Sequence, residues 1–443
     1  MKPSPKPIDI EIRNGNGKVC LLHPGPYPTP VTFCFWDERH PMNNTPEDEE
    51  SLILDTTVHR MDEVLESERF MGGGIGFGAI GEADDRLLWL NFRWSFADAP
   101  VPDRRRTMMM GNAIEKDIAA TLAKIQGLEF LDRDPNTGKQ FKHQFLGGHF
   151  AGKMDGVGLG FPEAPKTWHV VEIKGVSHKA FLEAIKRGVE NWRPEYWVNV
   201  QCHMGAAGLD RTLFIVQDRD TGAVHAERIK LDDTVFGACL ARAERIVLAE
   251  EPPAPMYETR SRVPHDVMAF KPEYNTHIYW GIELPRPHCR NCRFAIPLVE
   301  GTSGDWLCQI DSTSSATGAR LDYSQQRAGC PRHNYLPSLL SELAEVVRQY
   351  PDCVEYRVGR TVFWNAEEMV GETHPGVFSS KELCALSGNV AANGLCEESI
   401  KARSGLAGVK QGAYTIGGET VIVDEPKSGA GGVDDYDDDD IPF

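Results

Sequence analysis

The chain has 443 residues and a formal charge of −18, from 47 Lys and Arg against 65 Asp and Glu. Apolar residues make up 41% and charged residues 25%, the balance of a globular protein with a real core rather than a disordered, collagenous or membrane-embedded one. A surface basic enough to hold nucleic acid by bulk field is excluded, so any DNA affinity must come from local basic clusters or metal-bridged phosphates. No apolar run approaches the ~20 residues of a membrane span, and MKPSPKPIDIEI lacks the apolar core of a secretory signal. The expectation is a cytoplasmic protein that makes no use of a membrane. Eleven Cys, partly in a C-x-x-C, favour metal ligation over a disulfide framework in such a chain.

Residues 1–50 are rich in Pro and short apolar runs, which suggests short strands and loops. A helix is expected near His59 to Phe70. Met71 to Gly81, MGGGIGFGAIG, formally contains GxGxxG. A dinucleotide site would need a strand before it, a helix after it and an acid ~20 residues on. The following EADDRLLWLNFRW reads as a turn and then a strand, so the Gly-rich stretch reads as a flexible loop.

The pattern sharpens from residue 100. A helix is predicted over 108–126, with Ile114, Ile118, Leu122 and Ile125 at 3.6-type spacing. Three strands follow, over Phe141–Phe145, Phe150–Leu159 and Trp168–Lys174. Next come helices His178–Glu190 and Pro194–Ala207, strands Thr212–Gln217 and Ala223–Ile229, and a helix Asp232–Glu250 that ends at PPAP. This order predicts an α/β fold, a mixed central sheet flanked by helices. Residues 336–423 read as a small mixed region, and KSGAGG as a flexible linker to an acidic tail.

Three pieces of this region share one chemistry. Glu115 lies on the predicted helix, Asp155 follows a Gly-rich hairpin, and Glu172-Ile173-Lys174 ends an apolar strand. Side chains two apart on a strand share a face, so Glu172 and Lys174 project together while Ile173 points the other way. Pairing of Asp155's strand with this one brings the two acids side by side. Such a set of oxygens suits Mg²⁺ or Mn²⁺ rather than Zn²⁺. A neighbouring Lys can orient an attacking water or stabilise charge as a P–O bond breaks. Either motif alone is commonplace; their order is restrictive.

That order resembles the PD-(D/E)XK nuclease superfamily, in its RecB-like and YqaJ-like phage exonuclease branch. The resemblance covers about a third of the chain, through Gly111 and Glu115, Gly148-His149 and Asp155, Glu172 and Lys174, and Gln201. It implies a restriction-endonuclease-like core over 93–252, after an N-terminal region of unknown role (1–92). It further implies that Asp155, Glu172 and the Ile173 carbonyl bind Mg²⁺, that Glu115 completes the site, and that Lys174 serves the water. The family's Q-x-x-x-Y helix motif is replaced here by Asn199 and His203, with Gln201 between them. Gln201, Arg104, Arg105, Arg106 and Lys179 are the candidate DNA contacts; Trp192 and Tyr196 read as core.

A segment over 253–335 carries Cys289, Cys292, Cys308 and Cys330, spaced C-x2-C-x15-C-x21-C. Four thiolates suit structural Zn²⁺. The spacing departs from that of iron–sulfur relatives, although Cys20 and Cys34 leave a cluster open. His288 and His333 flank the set. The final segment, 424–443, ends DDYDDDDIPF and resembles the tip of bacterial single-stranded DNA-binding proteins. That resemblance implies that Asp439, Asp440, Ile441, Pro442 and Phe443 dock on host repair and replication proteins that read the tip. The leading expectation is a phage or prophage Mg-dependent DNA exonuclease in a bacterial cytoplasm, possible as a homo-oligomer. The alternatives are an interaction protein that competes for the tip-binding pockets, or an endonuclease on the same fold.

Overall fold

The computed structural model describes residues 10–13, 19–22, 56–67, 73–96, 102–310, 318–367, 376–389, 394–405, 412–416 and 419–423. The chain divides into two units, Met1–Leu65 and Glu66–Phe443. The first holds the antiparallel pair β1 (Ile10–Arg13) and β2 (Val19–Leu22), in register from Ile10↔Leu22 to Arg13↔Val19. Helix α1 (Thr57–Ser67) starts where Thr56 Oγ1 accepts from the His59 amide. Cys34 and the tip residues Asp439–Phe443 lie outside the described residues.

The second unit opens on β3 (Ile75–Gly76) and a tight turn over Ala79–Gly81. The Gly-rich stretch expected as a flexible loop is instead packed, with Ile75, Phe77 and Ile80 buried. The expected turn and strand after it is helix α2 (Asp85–Phe92), capped by Asp84, whose side chain accepts from the amides of Arg86 and Leu87. Leu87, Leu88, Trp89, Leu90 and Phe92 are all buried, so no polar stripe marks the helix and its apolar run mimics a strand.

Helix α3 (Pro102–Leu122) begins six residues before its predicted start. It leads into β4 (Glu129–Leu131), β5 (Lys142–Phe145), β6 (Phe150–Lys153), β7 (Gly156–Leu159) and β8 (His169–Val176). Then follow α4 (His178–Trp192), α5 (Pro194–Ala207), β9 (Arg211–Asp218), β10 (Val224–Lys230) and α6 (Asp233–Leu248). The predicted strand over Phe150–Leu159 is broken at Met154–Asp155. Its first half joins the small sheet β3-β6-β5, and its second half joins the five-stranded sheet β10-β9-β8-β7-β4. In the larger sheet β8 and β9 run parallel and every other pairing is antiparallel.

Alternation along β8 and β9 builds two cores. Val171, Ile173, Leu213 and Ile215 face Ile118 and Leu122 of α3. Val170, Val176, Phe214 and Val216 face Phe181, Trp192, Val200 and Met204 of α4 and α5. Full burial of each such side chain contributes roughly 1.5–3 kcal/mol, so this sheet is a firm platform.

The remainder comprises α7 (His265–Phe270), the sheet β11 (Ala295–Pro297), β12 (Trp306–Cys308) and β13 (Ala319–Leu321), and α8 (Tyr323–Ala328). After it come β14 (Glu345–Gln349), β15 (Val354–Val358), β16 (Thr361–Asn365), β17 (Val377–Phe378), α9 (Ser380–Ser387), α10 (Glu397–Ser404) and the hairpin β18 (Gly412–Ile416) and β19 (Glu419–Val423). One apolar cluster runs through Ile75, Trp89, Ile246, Tyr279, Trp306, Tyr335, Phe363 and Ile400. The boundaries expected at 92/93, 252/253 and 335/336 therefore do not interrupt the core: α2 packs with residues from all three later segments. No helix among the described residues is long and apolar enough to cross a membrane.

Candidate active site

The site forms where β8 meets the break between β6 and β7. Because odd positions of β8 fill the α3 core, Glu172 and Lys174 emerge together toward α5. Lys174 Nζ lies 2.6 Å from Glu172 Oε1 and donates to the Ile173 carbonyl at 3.0 Å. The Asn199 amide of α5 donates to the same Glu172 Oε1 at 2.9 Å. The Tyr196 ring, one turn earlier on α5, lies 5.9 Å from Lys174 Nζ at its centroid, a cation–π contact. Asp155 reaches in from the strand break, its Oδ2 accepting the Ile173 amide at 2.8 Å.

Glu115 arrives from α3, on the far face of β8. The helix packs closely because Gly175 lacks a side chain: a Cβ there would lie 2.5 Å from Ile114 Cδ1. Glu115 then interacts electrostatically with both Asp155 and Lys174. All four residues expected to carry the chemistry are thus brought together.

Three carboxylates face one ammonium, and the imbalance shifts their proton affinities. Burial, with the Glu172 charge beside it, pushes the Asp155 carboxyl up to about 6 against the pull of Lys174 and the Ile173 amide. Burial and Asp155 likewise raise Glu115. For Lys174, burial favours loss of the proton, but Glu172, Asp155 and Glu115 outweigh it and hold the ammonium above its ordinary range. His203, also on α5, is driven down to about 3 by burial, His143 and Lys174, and stays neutral.

This donor set fits a hard divalent cation. Asp155, Glu172, Glu115 and the Ile173 carbonyl are all oxygens, and an excess of negative charge is what Mg²⁺ or Mn²⁺ would neutralise. The Lys174 ammonium touches two of those four oxygens. Among the described residues no group of three or more His, Cys, Asp or Glu is placed so that it could hold a metal ion as it stands.

The expected DNA contacts divide. Arg104, Arg105 and Arg106 lie in the first turns of α3, ~15 Å along the helix from Glu115, and Arg106 pairs with Asp103 at 2.9 Å. Lys179 is exposed at the start of α4. Gln201 is a correction. It is fully buried, donates to the Lys230 carbonyl at 2.9 Å and accepts from the Asp232 amide at 2.8 Å. Both ends of its amide are engaged in joining β10 to α6, so it is a structural residue. Asn199, two residues earlier, is the α5 amide that meets the site. The expectation that Trp192 is buried holds, whereas half-buried Tyr196 also borders Lys174.

Two lysines escaped the sequence reading. Lys142 and Lys153 stand directly opposite each other on β5 and β6, two residues before Asp155, and both are exposed. Like charges so placed are destabilising, and burial together with Lys153 lowers Lys142 from its ordinary range. Only the hairpin register, which puts them face to face, exposes the pair.

No protein-family model matches the chain, and no curated protein matches it. Solved structures do resemble it. LHK-Exo in complex with dAMP is 16% identical at a TM-score of 0.28, over 46% of this chain and 94% of the other. An alkaline exonuclease (LHK-Exo) from Laribacter hongkongensis is 18% identical at 0.26, over 42% and 90%. The structure of SSO0001 is 10% identical at 0.30, over 49% and 96%. At such TM-scores function rests on the site itself.

Proposed function

We propose that the protein is a metal-dependent deoxyribonuclease that hydrolyses phosphodiester bonds at the Glu115–Asp155–Glu172–Lys174 cluster, acting as an exonuclease. The reading is carried by the meeting of these four side chains, remote in sequence, in one site with more carboxylates than cations. Asp155, Glu172, Glu115 and the Ile173 carbonyl would hold Mg²⁺ or Mn²⁺. Such an ion, when bound, polarises a phosphate and lowers the pKa of a bound water. Lys174, fixed by Glu172 and Tyr196, supplies a permanently charged donor for the attacking water and for charge developing on the phosphate. Asn199 holds the Glu172 carboxylate in place.

In a chain of charge −18, DNA is drawn by local groups. Lys142 and Lys153 flank the site, and Arg104, Arg105 and Lys179 lie on the helices beside it. The proposal includes a phage or prophage origin and a tip, Asp439 to Phe443, that docks on host partners of single-stranded DNA-binding protein. Deleting Pro442 and Phe443 should leave cleavage intact and abolish partner capture.

The test is digestion of end-labelled linear and closed circular DNA with Mg²⁺ or Mn²⁺. Loss of linear DNA alone, abolished in Asp155→Ala and Lys174→Ala variants of unchanged circular dichroism, is the expected result. Cutting of circles would favour an endonuclease, and no cleavage of either form would sink the proposal.

A further inference from the structure

Four cysteines outside this site come together from separate elements. Cys289 opens a tight turn (Cys289–Asn291) closed by the Cys292 amide donating to the Cys289 carbonyl at 3.1 Å, so two thiols leave one turn. Three residues after Cys292, Ala295 of β11 pairs directly with Cys308 of β12. The loop carrying Cys330 is clamped at both ends. A Cβ on Gly329 would lie 3.4 Å from His288 Cα, beside Cys289, and Tyr335 bridges Cys292. The Arg293 amide donates to the Asn334 carbonyl at 2.9 Å in the same bridge. Each of the six pairs among these thiols is close enough to interact electrostatically.

Each flanking histidine engages its Nε2, while its Nδ1 is buried without a hydrogen-bond partner. His288 Nε2 bonds the Trp94 carbonyl at 3.0 Å, and His333 Nε2 lies 2.7 Å from Asn291 Oδ1. The thiolates of the four cysteines are the soft donors of this segment, and such donors select Zn²⁺ over Mg²⁺. The elements around them are small: three strands of three residues and a six-residue helix. Pieces of that size rarely hold together without a staple.

We propose that Cys289, Cys292, Cys308 and Cys330 bind one Zn²⁺ in a tetrahedral thiolate site that cross-links the β11–β13 sheet to the turn after α8. As placed, the thiols do not form a group that could hold a metal; binding requires the sulfurs to turn about Cα–Cβ toward one point, with release of their protons. The site is structural, and it does not rest on the nuclease reading.

The experiment uses the full chain, purified without added metal or a histidine tag. Elemental analysis should find one zinc per chain, released stoichiometrically by a thiol-specific mercurial. Cys308→Ser and Cys330→Ser, neither of which replaces a buried thiol, should retain less than a tenth of it, whereas Cys353→Ser and Asp155→Ala keep it all. Co²⁺ exchanged into the wild-type chain should give the absorption bands of a tetrahedral thiolate site, a readout independent of whether any variant folds. A metal-free protein whose four thiols alkylate without denaturant would overturn the proposal. So would iron with broad visible absorption, or zinc retained in both serine variants.

Discussion

Asp155 gives the sharpest test of the site's electrostatics, through a substitution that should stabilise the protein while destroying its activity. In Asp155→Asn the side-chain oxygen still accepts the Ile173 amide, but the charge facing Glu172 is gone. Burial and the Glu172 charge push the wild-type carboxyl up to about 6 in the folded chain, against an ordinary value of 3.8. Between those values the folded chain binds more protons than the unfolded one, so stability falls as pH rises, and the full penalty is present above pH ~6. A separation of about two pH units corresponds to at most ~3 kcal/mol. Because Glu172 and Lys174 share the interaction, a gain of ~1–3 kcal/mol is expected. Urea unfolding in a chelator at pH 8 should show the variant with the higher midpoint, and the difference should vanish by pH ~4. Mg²⁺ should then reverse the order, since a cation at 100 times its Kd adds ~2.7 kcal/mol to whichever form binds it. A variant less stable than wild type at pH 8 in chelator, or a gain independent of pH, would refute the reasoning.

Three further outcomes follow from individual contacts. Asn199→Ala removes the amide that fixes Glu172; the Mg²⁺ concentration for half-maximal cleavage should rise ~10–100-fold, read from metal titrations of the digestion rate. Gln201→Ala strands the Lys230 carbonyl and the Asp232 amide; stability should drop by ~1–3 kcal/mol in urea titrations while KM for DNA is unchanged. Replacing Lys142 and Lys153 together by Ala should weaken DNA binding, measured by fluorescence anisotropy in a catalytically dead background. The slope of log K against log salt should become shallower by about 1 to 2.

The central elements were legible because their patterns are unambiguous. The helix predicted over 194–207 is observed at Pro194–Ala207, bounded by Pro194 and by Gly208 in a left-handed cap. The strand carrying Glu172 and Lys174 has buried apolar residues on both faces, Val170 and Val176 on one and Val171 and Ile173 on the other, as a central strand must. Helix α2 was missed for the complementary reason: LLWL is buried all round and erases the periodicity that distinguishes helix from strand. At the site, the identity of the acids and the lysine was readable from their order, but the role of the α5 amides was not. Gln201 and Asn199 lie two apart on a helix, hence on different faces, and only packing against β8 decides which one meets Glu172. The Lys142–Lys153 pair was invisible for a similar reason, since opposition across a hairpin is a property of register.

The misread strand at Phe150–Leu159 bears on why the site can exist at all. An acid in mid-strand on an antiparallel pair would be held at a fixed height above the sheet, committed to one face. Asp155 instead sits where the chain leaves one sheet and enters another, so its carboxylate can bond the edge of β8 through the Ile173 amide while still facing Glu172. On the pairing of β7 with β4, Phe130 presses on the residue after Asp155: a Cβ on Gly156 would lie 2.6 Å from that ring. Only glycine fits there. A buried excess of carboxylate destabilises the folded chain, and the bond from the Ile173 amide to Asp155 holds that acid beside Glu172 despite the repulsion.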